Sequence, residues 1–448
     1  MDLKSRIEES RGDPAGLEHL YRQALADGNE PAFREAIGRC AAERPENRLF
    51  EAWAYRLDIR NPADAAELEG PLYKQSQHGH WRITVPAGVA LGILYALFAG
   101  DKPPVPKPGE ARPLFWIGWG PLTALVILGY LAALDRSRSR IRWYGRMAVA
   151  VLLIGVYAAL IAWNKTDSIG VLIALHLPFV AWAAVGAGVV LGRPEPARQA
   201  YAFLVKSVET VLSGGIYFGS GVLFLGLTYG IFAVLGIKLP QAGMQTVAAF
   251  GIGAIPILAL AGVYDPTAAP EAQQWATGLA RLLRIISRIL LPLALGVMAV
   301  YVCGFIPAYF WRPFQDREVL MVYNATIMAI LVLLAMMVAD PEDRPSPRQT
   351  ARLRSACLAL GFLTLILNVY ALAAIISRTC ESGLTPNRYA VLGWNIVTLL
   401  MLTAIVVKVW KARADRWVPI FRDAIASVSI LPAVWAIWVV LGLPLSFI

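Results

Sequence analysis

Residues 355–377 read SACLALGFLTLILNVYALAAIIS, an uncharged run long enough to cross a lipid bilayer. A helix needs roughly 20 apolar residues to span about 30 Å of hydrocarbon, so this run predicts a transmembrane helix. Similar runs predict eleven spans: 83–100, 114–134, 147–163, 168–192, 210–236, 244–264, 286–306, 318–339, 355–377, 388–409 and 424–445. Because an open strand cannot satisfy its amides in lipid, every span should be helical. The predicted fold class is all-α, a polytopic transmembrane helix bundle.

Charge is distributed unevenly along the 448 residues of the chain. Only 16% of the residues are charged, against roughly a quarter in an average soluble domain, and 57% are hydrophobic. Residues 1–80 nevertheless carry a net charge of −4, which leaves +14 for the remainder. An acidic, water-compatible segment therefore precedes a basic and very apolar body.

The first 60 residues predict a small soluble helical head, which a linker at 61–80 joins to the membrane bundle at 81–448. Asp13 and Pro14 are typical of an N-cap and a first helical position, and apolar residues then recur at helical spacing. Two further helices are expected, at 31–45 and 48–57. The head is either a docking module for a cytoplasmic protein partner or a small helical cap packed on the body.

The basic residues between spans predict the orientation in the membrane. Loops at alternate positions carry 20 Lys and Arg residues, whereas the opposite loops carry 9. The richer set should face the cytoplasm, which places the N-terminus inside and Ile448 outside. Short basic runs between apolar stretches suit anionic lipid headgroups, and no nucleic-acid recognition motif accompanies them. The expected partner is the lipid bilayer and not nucleic acid.

Two stretches of the chain resemble a known family. Residues 377–395 read SRTCESGLTPNRYAVLGWN, with the core GLTPNR between two predicted spans. Residues 281–288 read RLLRIISR and lead into Leu-Pro-Leu at 291–293. Both resemble the bacterial "domain of unknown function 4153" family of integral membrane proteins, over about residues 200–448. The resemblance implies a protein of the bacterial cytoplasmic (inner) membrane. It implies no reaction, and it leaves the head unexplained.

The connection at 378–388 also has a physical interpretation of its own. Pro386 restricts Thr385 to extended geometry, and Thr385 or Asn387 can cap the helix that follows. Gly383 permits a tight turn after the preceding span. The segment is either a fixed helical hairpin or a functional extracytoplasmic lip formed by Arg378, Glu381 and Arg388.

Four polar side chains lie inside predicted spans: His176, Asn324, Asn368 and Asn395. Counted at about 1.5 Å per residue from the outer span ends, all four lie roughly 9–14 Å deep, in the outer half of the bilayer. Polar groups inside a span are costly and often functional. They either form hydrogen bonds between helices or line a polar pocket that opens outward beneath the hairpin, for a small molecule or lipid headgroup.

Two further segments leave alternatives open. Lys206 and Glu209 are three residues apart on a helix and are expected to pair, as an interfacial ion pair or as a coupling site. Residues 271–288 predict either an amphipathic helix in the headgroup plane or an extension of the seventh span.

No catalytic signature accompanies these features. The chain holds no HExxH, no GxSxG and no phosphate loop, and its four cysteines have no partners at metal-ligand spacing. No catalytic residue, metal or cofactor is predicted. Two functions stay open: binding or transport of a small molecule or lipid, and a non-catalytic scaffold or signalling subunit whose head docks a cytoplasmic partner.

Overall fold

The structure, a computed structural model, describes residues 3–27, 29–44, 47–57, 71–99, 115–164, 168–237, 239–273, 275, 278–338 and 346–447. Every regular element among these residues is helical, which confirms the all-α fold class. Eleven helices are long and apolar enough to cross a membrane, the number predicted from the sequence. The chain is therefore a multi-pass helical membrane protein.

The chain divides into two compact units, at 1–81 and 82–448. The first unit contains α1 (Leu3–Glu9), α2 (Pro14–Ala26), α3 (Glu30–Glu43) and α4 (Arg48–Arg56). Asp13 caps α2 as expected, because its Oδ1 accepts a hydrogen bond of 3.0 Å from the amide of Ala15. The sequence did not predict α1, a short and mostly polar helix that is anchored in the core of this unit by the buried Ile7.

Only the second half of the linker expected at 61–80 lies among the described residues, and it is helical. Residues 61–70 lie outside the described residues, whereas Pro71 begins a helix that runs without interruption into the first span. Proline suits a first helical position because the amide it lacks would have no partner there.

The second unit is a bundle of long helices. Its helices are α5 (Pro71–Ala99, shared with the first unit), α6 (Phe115–Leu134), α7 (Arg138–Asn164), α8 (Ser168–Val190), α9 (Pro196–Val234), α10 (Gln241–Val263), α11 (Gly278–Val300), α12 (Arg317–Met337), α13 (Pro347–Ser382), α14 (Pro386–Lys411), α15 (Trp417–Val428) and α16 (Ile430–Leu441). A π-helical turn at Tyr301–Phe305 extends α11.

Several helices differ in their limits from the predicted spans, among them α7, which begins at Arg138 and not at 147, and α13, which begins at Pro347 and not at 355. The α9 helix has 39 residues and begins well before the predicted start at 210. The last span consists of α15 and α16, since Pro432 has no N–H to continue the helical ladder across Ser429. Because α11 is continuous from Gly278, residues 278–288 extend the seventh span and form no separate interfacial helix.

The helices of the bundle form two groups. The first group is α5 to α8 with α10, around buried residues such as Leu128, Val185 and Ile257. The second group is α11 to α15, around a larger core. The α9 and α16 helices pack against both groups, and α8 touches α14 directly. We call this boundary, between α8 and α14, the seam.

Small residues allow a very close approach between α5 and α10. A Cβ atom added to Gly253 would lie 2.8 Å from the carbonyl oxygen of Leu91, and one added to Gly92 would lie 2.8 Å from that of Phe250. Gly88 and Gly92 form the GxxxG spacing that brings membrane helices together. Backbone contact therefore holds α5 in the bundle.

Candidate functional site

His176 lies on α8 and joins the two helix groups across the seam. Its Nε2 accepts a hydrogen bond of 2.7 Å from the indole N–H of Trp394 on α14. Indole can only donate, so the ring proton sits on Nδ1, which donates to the carbonyl oxygen of Leu172 at 2.7 Å. Both ring nitrogens are occupied, and the imidazole is a neutral bridge between helices.

One turn further along α14, Thr398 connects α14 to α13. The Asn368 side-chain amide donates to Thr398 Oγ1 at 2.7 Å. The Thr398 hydroxyl in turn donates to backbone carbonyls of its own helix, those of Trp394 at 3.0 Å and Asn395 at 3.1 Å. This pair is a hydrogen bond between helices of the kind predicted for intramembrane polar residues.

Asn395 lies on the same part of α14, and only the NH2 group of its side-chain amide forms a hydrogen bond. Its Nδ2 donates to the Val391 carbonyl oxygen at 2.9 Å. Both Asn368 and Asn395 are fully buried, and the Oδ1 atom of each has no hydrogen-bond partner. An unsatisfied buried acceptor costs about 1–3 kcal/mol. A hydrogen bond from water or from a ligand to either oxygen would remove that cost. We call Asn368, Asn395 and Thr398 the asparagine site.

Asn324 stands apart from the other predicted residues. The adjacent Tyr323 packs against Tyr370 of α13, with ring centroids 6.0 Å apart, which sets this part of α12 near the level of Asn368. Asn324 is half-buried, however, and no hydrogen bond links it to the other three residues in the described part of the chain. The structure thus connects three of the four residues through one stretch of α14, at 394–398.

The 378–388 segment folds as a helical hairpin. Gly383 ends α13 with φ of +78°, a backbone conformation that favours glycine, and Thr385 caps α14 by accepting from the amide of Arg388 at 3.3 Å. The Arg388 guanidinium donates to the Gly383 carbonyl oxygen at 2.6 Å. Glu381 accepts from the hydroxyl of Ser377.

These contacts favour the fixed-hairpin interpretation over a functional lip. Arg388 is committed to the turn, Arg378 is half-buried, and Asn387 is exposed and leaves the cap to Thr385. Pro386 occupies the first position of α14, as its sequence context predicts.

Lys206 and Glu209 pair as expected, and the pair is enclosed by neighbouring helices. The Lys206 Nζ lies 2.7 Å from Glu209 Oε2, and the two residues are only 3% and 4% exposed. The ammonium also lies 4.7 Å from the ring centroid of Trp275, a cation–π contact from the loop before α11. A small cavity of about 10 Å³, room for one water, adjoins Lys206 between α6, α8, α9 and α10.

A second buried charge lies between α6 and α7 and was not predicted. Asp135 accepts from Arg140 Nη2 at 2.6 Å and from the Tyr144 hydroxyl at 3.2 Å. Burial alone would raise the pKa of Asp135, but the hydrogen bonds from Arg140 and the Ser137 amide outweigh it and hold the pKa below its usual value. A lone acid directly after an apolar run, with an arginine five residues later, was the available signal.

No protein-family model, no curated protein and no solved structure matches this chain. The resemblance carried by residues 281–293 and 377–395 therefore stays a prediction. In the described part of the chain, no three His, Cys, Asp or Glu side chains converge as a metal site would require.

Proposed function

We propose that this protein binds or transports a small polar molecule or a lipid headgroup inside its helix bundle. We place it in a bacterial inner membrane, with the N-terminus cytoplasmic and the C-terminus extracytoplasmic, because the basic loops and the resemblance described above both favour that assignment. The asparagine site is the proposed contact point for the ligand.

The observation that carries this proposal is the pair of unpartnered oxygens in Asn368 and Asn395. Most buried acceptors in proteins are paired, because a lone buried acceptor destabilises the fold. Both residues are fully buried and lie on adjacent helices, α13 and α14. They offer acceptors to an incoming group that carries N–H or O–H donors.

The location of the site supports the same proposal. Ligand sites in membrane bundles commonly lie where two groups of helices meet, since relative movement of the groups can open such a boundary. The asparagine site adjoins Trp394, whose hydrogen bond to His176 crosses the seam. No charged side chain belongs to this network, so the ligand group that it suits is neutral.

The test is to extract the full-length protein with its own lipid and identify the bound small molecules by mass spectrometry. The double variant Asn368→Leu/Asn395→Leu should lose a bound species that the unaltered protein retains. Asn324→Leu is the matched control, because it makes the same change on a neighbouring helix outside the network. Identical bound species in all three proteins would reject the proposal.

A scaffold or signalling role is the second candidate, and one observation favours it. The head forms a compact unit with its own core, built on residues such as Leu17, Phe33 and Trp53. A stoichiometric protein partner that is lost on deletion of residues 1–60, with no bound small molecule, would favour this role over ligand handling.

A further inference from the structure

The first turns of α7 carry a row of arginines on one face of the helix. Arg138, Arg142 and Arg146 follow one another at intervals of four residues, so they lie within about 80° of one another around the axis. All three are exposed. We call these residues the arginine row.

The carboxylate nearest to the row in sequence, Asp135, is already paired with Arg140. Arg140 turns inward and pairs with the buried Asp135, which also accepts from Tyr144 and from the Ser137 amide. That carboxylate is therefore fully used. No carboxylate pairs with the arginine row in the described part of the chain, so its three charges face outward and need an external anion.

The same face of α7 continues as an exposed apolar row. Its members are Val149, Leu153, Val156 and Leu160, with exposed fractions of 57%, 65%, 51% and 63%. At 100° per residue these positions lie within the same 80° sector as the arginine row. One face of one helix thus presents cations first and then four aliphatic side chains.

A tryptophan marks the boundary between the two rows. The Arg146 guanidinium lies 4.9 Å from the ring centroid of Trp143, and an indole at such a boundary typically sits at headgroup level. The Trp143 ring lies close against Gly192, where a Cβ atom would approach its Nε1 to 2.9 Å. A guanidinium that stacks on an aromatic face keeps its N–H groups free to bind an anion.

We propose that this face of α7 binds an anionic phospholipid, with its phosphate on the arginine row and its acyl chains along the apolar row. Successive arginines are about 6 Å apart along the axis, and the headgroup layer is about 5–8 Å thick in each leaflet. Arg142 and Arg146 therefore lie within that layer. Guanidinium groups bind phosphate oxygens in bidentate fashion, and a lipid with two phosphodiesters would engage both. The proposal is independent of the asparagine site.

The probe is cardiolipin, which carries two phosphates, compared with singly charged phosphatidylglycerol. Full-length protein in neutral detergent is titrated with each lipid, and bound lipid is counted by native mass spectrometry. The variant Arg138→Gln/Arg142→Gln/Arg146→Gln removes the row. The variant Arg348→Gln/Arg352→Gln/Arg416→Gln removes the same charge from exposed positions in other inter-span segments of the predicted cytoplasmic set, and serves as the matched control.

Each basic residue at an anionic surface contributes about five-fold to affinity, so loss of the row should weaken cardiolipin binding by up to roughly a hundred-fold. The control variant should change it only a few-fold. Equal losses in both variants, or no loss in either, would overturn the proposal. Should the triple Gln variant fail to fold, Arg138→Lys/Arg142→Lys/Arg146→Lys keeps the charge and loses the bidentate geometry. A selective loss of cardiolipin over phosphatidylglycerol is then the supporting outcome, and unchanged selectivity the opposing one.

Discussion

Separating Lys206 from Glu209 should be among the most destabilising single changes in the bundle. Their side chains are 4% and 5% exposed and 2.7 Å apart. Removing one partner of a buried pair takes a close counter-charge from the other and typically costs about 3–5 kcal/mol. Lys206→Met also removes the cation–π contact with Trp275, which adds about 0.5–2 kcal/mol. Glu209→Gln keeps that contact and should cost less.

The double variant distinguishes a pair from two separate polar residues. Well-packed apolar replacements of a buried pair are often neutral, or stabilising by about 1–4 kcal/mol. Lys206→Met/Glu209→Met should therefore be close to the unaltered protein in stability and far above either single variant. The measurement is unfolding in mixed micelles of rising denaturing-detergent content, followed by tryptophan fluorescence.

An exposed pair at the start of the same helix provides the control. Arg198 and Glu195 lie 2.6 Å apart, but their side chains are 66% and 55% exposed. Glu195→Gln should cost at most about 1 kcal/mol, as exposed pairs do. If Lys206→Met costs no more than Glu195→Gln, water reaches the Lys206 pair and the argument from burial is wrong.

Three further outcomes are expected from the same unfolding assay. Gly253→Val should cost about 1–3 kcal/mol or more, because its side chain meets a backbone carbonyl, whereas Gly251→Val meets open space and should cost far less. Thr398→Val leaves a buried amide donor without its acceptor and should cost about 1–3 kcal/mol; Thr228→Val, which loses only a bond within its own helix, is the comparison. The ionised Asp135 carboxylate stabilises the fold at pH values above its pKa in the unfolded chain, so Asp135→Asn should be less stable than the unaltered protein there. The difference in unfolding free energy between the two proteins should shrink as the pH falls through the lowered pKa of Asp135 in the folded protein. A gap that widens on acidification would reverse that sign.

The spans were predictable because the bilayer imposes a simple rule on the chain. A helix must present about 20 apolar residues in a row, and this property is read from composition without any tertiary contact. The extensions of α7 and α9 beyond their apolar runs were not predictable in this way. Both helices begin in polar sequence, at Arg138 and Pro196, where hydropathy gives no signal for a span. Several polar residues at the start of α9, such as Gln199 and Lys206, are buried against other helices.

The polar residues of the site were visible in the sequence, but their partners were not. A single His or Asn inside an apolar run is easily recognised in the sequence, and the helical spacing of Lys206 and Glu209 predicted that they pair. His176 and Trp394 are more than 200 positions apart, so only the packing of α8 against α14 brings them together. The same packing leaves Asn324 outside the network, although its depth in the span matched the others.

The sequence by itself determined the class of protein, the number of its spans and most of their limits. These follow from hydrophobic run length, charge and capping residues, which act locally along the chain. Only the tertiary structure decided that the Lys206–Glu209 pair is enclosed, that α5 and α10 touch at their backbones, and that two asparagine oxygens are left without donors. Burial and hydrogen-bond satisfaction depend on which helices become neighbours, and that choice is made by side-chain packing across the whole bundle.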